Sequence, residues 1–441
     1  MRNQLGMFVF ATVLTWPALV SSQTSRDGQS PYIGRWQGKA KTESETTAVS
    51  LEINQSGKRF GAAITLLNIG VMNWPASKVV DKQGTLELSF PTDSSQQRFV
   101  LKKPVKGRLE GTWHDSRYGE NAVVSLNRSA NASSLRSNPL LIVGPAGRLS
   151  TEYVLPKGDG PFPGVVFVHG SGPQSKAASR FSAHALAGLG IASIAYDKRG
   201  VGGSEGNWQR ATFEELAADA IAVAKQFQSI NKVSRVGFLG QSQGGWIATL
   251  AASQWQTAAF VVSIAGPAVS PSREAHWEFV RAVRRFGGSE KDEVETREIM
   301  DQFHYGIRTG KWNPFQELRA KSSQRSWFLA SGLSRLQIPD ESEWLEGYRS
   351  NMNYDPLPAL KNLNAPLLSL LSPDDESVDA METAAILRTL KETGIDLELR
   401  LFPGFDHGMH QNAEERTIRW PSLPPNYFQI QAAFVSRATA R

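Results

Sequence analysis

The run Gly237-Phe238-Leu239-Gly240-Gln241-Ser242-Gln243-Gly244-Gly245-Trp246 constrains this chain more than any other stretch of it. An apolar strand leads directly into G-x-S-x-G, and an amphipathic helix begins at Trp246-Ile247-Ala248-Thr249-Leu250. A serine on so sharp a strand-to-helix turn holds strained backbone angles, and side chains at Gly240 and Gly244 would collide with the turn. The pattern therefore calls for a sheet whose strands end at an open edge with Ser242 exposed there. The helix start aims backbone N–H groups and a positive dipole end at any anion formed beside that serine.

The surrounding sequence supplies such a sheet. From Leu140 onward, apolar runs bounded by glycine or proline alternate with helical stretches, the sequence form of a mostly parallel sheet with helices on its faces. The strand candidates are Gly164–Val168, Ile191–Ala195, Arg235–Leu239, Phe260–Ile264, Pro366–Leu371 and Leu397–Phe402. Helices fit Phe213–Phe227, Gly244–Ser253, Ala380–Thr393 and Asn426–Ala438. Between about residues 265 and 365 the alternation stops, and a Trp-, Arg- and Glu-rich stretch with helical spacing intervenes, read as a cap over the site.

At 441 residues and 40% hydrophobic content the chain suits two folded units. Tyr32–Arg128 reads as about eight short alternating strands, enough for a small antiparallel barrel or sandwich. Trp36 and Trp113 in its Gly34-Arg35-Trp36-Gln37-Gly38 and Gly111-Thr112-Trp113 runs are core anchors. Residues 129–139, rich in Ser, Asn and Ala, read as the linker to a second unit over 140–441. Residues 1–22 have the layout of a removable secretory signal: Arg2, an apolar run from Leu5 to Val20, and small residues at Val20 and Ser22. That run is too short to span a membrane and is broken by Trp16 and Pro17, so the expectation is a secreted or periplasmic protein with no stable membrane span after signal removal. No cysteine occurs, which excludes disulfides, thiol catalysis and cysteine-held metal. A net charge of +6 without a Lys/Arg block argues against a nucleic-acid partner.

Serine attacks only when an imidazole takes its proton, and that imidazole needs a carboxylate to fix its tautomer. In chain order the acid and then the histidine should follow Ser242. Ser372-Pro373-Asp374-Asp375-Glu376-Ser377-Val378 follows one strand, and Pro403-Gly404-Phe405-Asp406-His407-Gly408 follows the next. Asp374, Asp375 and Asp379 compete for the acid role, while His407 is the base. Asp406 is read as a loop residue, and His410 beside His407 lacks the third ligand that zinc requires. Upstream, Val165-Val166-Phe167-Val168 ends in His169-Gly170-Ser171-Gly172-Pro173, a turn that brings a backbone N–H toward a substrate carbonyl. The N–H groups of Ser171 and Gln243 are the candidate oxyanion donors, and His169, at a strand end, is structural.

Together, His169-Gly170-Ser171-Gly172-Pro173, Tyr196-Asp197-Lys198-Arg199-Gly200-Val201-Gly202-Gly203-Ser204, Gly240–Gly244 and Gly404–Gly408 resemble the α/β-hydrolase superfamily, more narrowly the secreted bacterial esterases of the serine aminopeptidase-like and dienelactone-hydrolase-like branches. The resemblance runs from about Leu140 to the C-terminus. It implies an α/β-hydrolase sheet with a helical cap insertion, and a triad acid three positions before a valine, which selects Asp375 through Val378. Ser372 stands where such enzymes commonly have glycine. The resemblance also makes Asp197 and Arg199 architectural.

The expectation is therefore a serine hydrolase acting on a small-molecule carboxylic ester without a cofactor, through Ser242, Asp375 and His407. A peptidase or thioesterase would use the same triad, since the pocket alone chooses the acyl group. A catalytically silent secreted binding protein is the rival of another class.

Overall fold

The computed structural model of the chain describes residues 30–43, 46–57, 59–66, 71–82, 84–91, 96–115, 121–129, 137–336, 343–411 and 423–440. The expected signal segment lies outside them. Among the described residues, no helix is long and apolar enough to cross a membrane.

The first unit is built from nine strands: β1 (Gly34–Lys41), β2 (Thr46–Ser56), β3 (Arg59–Leu66), β4 (Val71–Pro75), β5 (Lys78–Lys82), β6 (Thr85–Pro91), β7 (Gln96–Lys102), β8 (Arg108–Asp115) and β9 (Asn121–Arg128). They form one antiparallel sheet in the order β4-β3-β2-β1-β9-β8-β7-β6-β5. The two end strands are consecutive in the chain. Between them Ala76 N–H donates to Ala62 O on β3 and Ser77 N–H to Ser89 O on β6, each at 2.8 Å, so the sheet curls into a nearly closed barrel rather than a sandwich. Alternation along β8 and β9 sends every second side chain inward. Trp36 and Trp113 are buried there, Trp36 donating to Tyr32 O and Trp113 to Gln97 Oε1, each at 2.7 Å. Gly38 and Gly111 are required by close approach, because a Cβ on either would sit 2.1 Å from a carbonyl oxygen of the neighbouring strand.

The second sheet has eight strands, β10 (Ser137–Gly144), β11 (Gly147–Val154), β12 (Phe162–Val168), β13 (Ala192–Tyr196), β14 (Val233–Gln241), β15 (Val261–Ile264), β16 (Leu367–Leu371) and β17 (Leu397–Leu401), in the order β10-β11-β13-β12-β14-β15-β16-β17. From β13 to β17 every pairing is parallel. The helices that cover it are α1 (Arg180–Gly188), α2 (Phe213–Gln228) and α3 (Gln243–Gln254). The insertion between β15 and β16 carries α4 (Pro271–Arg285), α5 (Glu290–Thr309), α6 (Asn313–Ser322), α7 (Ser326–Ala330), α8 (Glu343–Asn351) and α9 (Leu357–Lys361); α10 (Ala380–Glu392) and α11 (Tyr427–Thr439) complete the fold. Two apolar cores fill the opposite faces of this sheet, and the insertion has a core of its own around Ile299, Phe303 and Phe315.

Local signals set the helix starts. Thr212 with Glu215 and Ser289 with Asp292 form capping boxes for α2 and α5, while Ser270 caps α4 ahead of Pro271. One expectation needs correction: Ser137-Asn138-Pro139, the end of the stretch read as linker, is the start of β10 and pairs antiparallel with Val154, Tyr153 and Glu152. Proline is tolerated because β10 is an edge strand.

Candidate active site

Strand β14 delivers Ser242 to the carboxyl edge of the sheet, in the middle of its order. The Ser242 backbone sits at φ 54° and ψ −125°, a conformation that costs about 1–3 kcal/mol for a residue with a Cβ. Two hydrogen bonds hold it there, Ser242 N–H to Ile264 O at 2.9 Å and Gly245 N–H to Ser242 O at 2.7 Å. The flanking glycines are obligatory: a Cβ on Gly240 would lie 1.9 Å from Gly244 O, and one on Gly244 would lie 2.4 Å from Val168 O.

Asp375 and His407 come from the loops after β16 and β17, and the structure joins them. His407 Nδ1 lies 2.9 Å from Asp375 Oδ2 and 3.0 Å from Oδ1. Asp375 is only 1% exposed, and its Oδ1 also accepts from Ser377 N–H at 2.8 Å and Val378 N–H at 2.9 Å. A carboxylate so fixed selects the tautomer in which Nδ1 carries the hydrogen and Nε2 keeps a lone pair. The His407 backbone is pinned as well, its N–H to Glu376 Oε2 at 3.2 Å and its carbonyl to Gln241 Nε2 at 3.3 Å. Burial alone would push the imidazole down, but the hydrogen bond and charge of Asp375, with Glu376 and Glu278 nearby, hold it above the ordinary histidine value.

The other acids are occupied elsewhere. Asp374 accepts from Gly404 N–H at 2.6 Å, Asp379 caps α10 through Glu382 N–H at 2.9 Å, and Asp406 accepts from His410 N–H at 2.7 Å. Ser242 and His407 line one pocket of about 580 Å³, together with Ser171, Gln243, His169 and Lys198. Among the described residues no hydrogen bond joins Ser242 to His407, and no protein group accepts from the N–H of Ser171 or Gln243.

His169 donates to Tyr196 O across 2.6 Å and packs edge-on against the Tyr196 ring. Burial drives its pKa down to about 3, so it is a neutral structural group on the pocket wall. Asp197 is tied to Lys176 Nζ at 2.6 Å and Arg199 to Asp219 at 2.7 Å, both away from the serine.

Three features were not singled out from the sequence. Lys198 is 2% exposed and its ammonium reaches Gly170 O at 2.9 Å, Gly172 O at 3.2 Å and Gln243 Oε1 at 3.0 Å. From the insertion, α4 brings Glu274 and Glu278 to the pocket, and α8 brings Gly347, Tyr348 and Asn351, so the insertion forms part of the wall. Burial, reinforced by Glu278 and Asp375, holds the Glu274 carboxyl well above the usual range, and burial likewise raises Glu278 despite the pull of His407. The i,i+4 spacing of the two glutamates on one helix face was the available signal, but nothing in the sequence said which face α4 turns inward.

A family model described as serine aminopeptidase, S33, matches residues 161–310, and one described as prolyl oligopeptidase family matches residues 303–420. The chain is 31% identical over 161 residues to the esterase EstD of Thermotoga maritima, an overlap of 35% of this chain and 38% of that protein. The chain thus spans well under half the length of the curated relative it matches. Among solved structures it is similar to an esterase of Pyrococcus furiosus, with 16% identity and a TM-score of 0.43 over 62% of this chain and 84% of the other. It is also similar to Est1E of Butyrivibrio proteoclasticus, with 15% identity and a TM-score of 0.42 over 69% of this chain and 100% of the other.

Proposed function

We propose that this chain, an α/β-hydrolase by fold, is a serine hydrolase that cleaves carboxylic esters of small molecules through an acyl-enzyme on Ser242. The observation that carries the reading is the contact of His407 Nδ1 with both oxygens of buried Asp375, in a pocket that also holds Ser242 on its strained turn.

In this reading His407 Nε2 takes the Ser242 proton as Oγ attacks the ester carbonyl, and Asp375 stabilises the imidazolium. The carbonyl oxygen becomes an oxyanion between the N–H groups of Ser171 and Gln243, donors that cost no reorganisation because the turn fixes them. The imidazolium then protonates the departing alcohol, and a water activated by the same His407 releases the acid. None of these steps calls for a cofactor. Ester over peptide is favoured by the resemblance to the esterase EstD, since the triad itself serves either bond.

The test is a panel of p-nitrophenyl esters of short and long acyl chains, aminoacyl anilides and acyl thioesters, compared by kcat/KM. Esters should rank first. A higher kcat/KM for anilides or thioesters would replace the ester reading with the peptidase or thioesterase one. Export behind a signal cleaved after Ser22 belongs to the same proposal, and the N-terminal sequence of the mature protein checks it.

A further inference from the structure

We propose that Lys198 is a positioning residue that ties together the two sides of the oxyanion hole, an inference that rests on the serine-hydrolase reading above. Its ammonium donates to Gly170 O at 2.9 Å and Gly172 O at 3.2 Å on one side, and to Gln243 Oε1 at 3.0 Å on the other. Gly170 O belongs to the same peptide group as the Ser171 N–H. In a trans peptide the two bonds point in opposite directions, so an ammonium fixed on the oxygen aims the N–H away from itself and increases its donor strength. Gln243 carries the other oxyanion N–H, and its side chain is held by the same nitrogen. One cation therefore sets the separation of two loops that are 72 residues apart (243 minus 171).

The setting supports this role over an ordinary ion pair. Lys198 is 2% exposed, and among the described residues no carboxylate ion-pairs with it; its neighbour Asp197 is taken by Lys176. Trp208 faces it with the ammonium 5.7 Å from the ring centroid. Burial brings its pKa down to about 7, because the charged form loses its solvation here. In its protonated form a buried cation bound only to neutral acceptors polarises them, and of these Gly170 O shares the peptide group of the Ser171 N–H while Gln243 Oε1 is on the residue that carries the other N–H.

The experiment compares wild type, Lys198→Met and Lys198→Arg on a p-nitrophenyl ester, with rates expressed per serine titrated by a fluorophosphonate. Binding of a trifluoromethyl ketone, which forms a tetrahedral adduct with serine, is measured alongside. Lys198→Met should lower kcat about 100-fold with little change in KM, the size of effect of losing one oxyanion donor. The ketone should weaken by the same factor as kcat/KM, and Lys198→Arg should recover most of the loss. A kcat for Lys198→Met within about twofold of wild type, or a loss confined to KM, overturns the proposal. If Lys198→Met does not fold, Gln243→Leu removes one tie and should lower kcat about 10-fold; a wild-type kcat there overturns it equally. A wild type that ignores the fluorophosphonate removes the serine-hydrolase reading and this proposal with it. A labelled wild type with an indifferent Lys198→Met removes this proposal alone.

Discussion

His407 and Asp375, 32 residues apart in sequence, meet through one ring nitrogen placed 2.9 and 3.0 Å from the two carboxylate oxygens, while the adjacent Asp374 turns away to bind Gly404 N–H. The pair lies in the loops that follow the neighbouring strands β16 and β17, so the tautomer of His407 is decided by which of two adjacent acids faces it. Asp375→Asn should lower kcat about 10⁴-fold by stabilising the wrong tautomer. Asp374→Asn should leave kcat within a few-fold of wild type. Steady-state kinetics of the two variants checks the assignment, and the reverse ranking would transfer the role to Asp374.

The acid limb of the rate profile follows from the same pair. Only neutral His407 can accept the serine proton, so kcat/KM should rise with pH as the imidazole deprotonates. Burial lowers the imidazole, but the hydrogen bond and charge of Asp375 with the charges of Glu376 and Glu278 together outweigh it, so the midpoint should lie above the 6.5 of an ordinary histidine. Removing the carboxylate leaves burial opposed only by the more distant charges of Glu376 and Glu278, so the midpoint should move down in Asp375→Ala. Titration of His407 by NMR, in a Ser242→Ala background to exclude turnover, gives both values.

The serine turn makes a prediction about stability. Gly240→Ala places a methyl 1.9 Å from Gly244 O, and the three nearest atoms are all backbone of Gly244 and Gly245, with no flexible side chain among them to yield. It should cost about 3 kcal/mol or more by overpacking, read as a fall in the urea midpoint. Gly188→Ala, at the end of α1 with nothing within 4 Å of its Cβ, is the control and should be neutral or stabilising by about 0.5 kcal/mol.

Arg199 tests the structural reading of its loop. Its guanidinium meets Asp219 at 2.7 Å, and Asp219 is 1% exposed. Arg199→Leu leaves that carboxylate buried without its cation and should cost about 3–5 kcal/mol in denaturant unfolding. The double variant Arg199→Leu/Asp219→Leu should recover much of it. Fluorophosphonate labelling of the folded fraction should be unaffected, since neither residue lines the pocket.

The six parallel strands were legible because most are apolar runs between glycine or proline and the edge strand β17 alternates Leu397, Leu399 and Leu401 with Glu398 and Arg400, and the acid and histidine were found by looking just past strand ends. Strands β10 and β11 were missed for a physical reason. An edge hairpin with one open face mixes Pro139, Asn138 and exposed Val143 and Leu141, and so lacks a fully buried run. The barrel's closure was not readable either, since the tie at Ala76 and Ser77 is made by backbone atoms. Lys198 was hidden inside a loop motif whose neighbours Asp197 and Arg199 are structural. Its direction depends on the turn that Gly200 permits at φ 73°, which sequence spacing does not report.

Covalent labelling joined to kinetics decides whether Ser242 is the nucleophile. Wild type treated with a fluorophosphonate should gain one adduct, located on Ser242 by peptide mass spectrometry, and should lose ester hydrolysis in parallel. Ser242→Ala should take up no label and hydrolyse esters about 10⁴–10⁶-fold more slowly. Hydrolysis by Ser242→Ala at the wild-type rate, or a label carried on another residue, would take the nucleophile role away from Ser242.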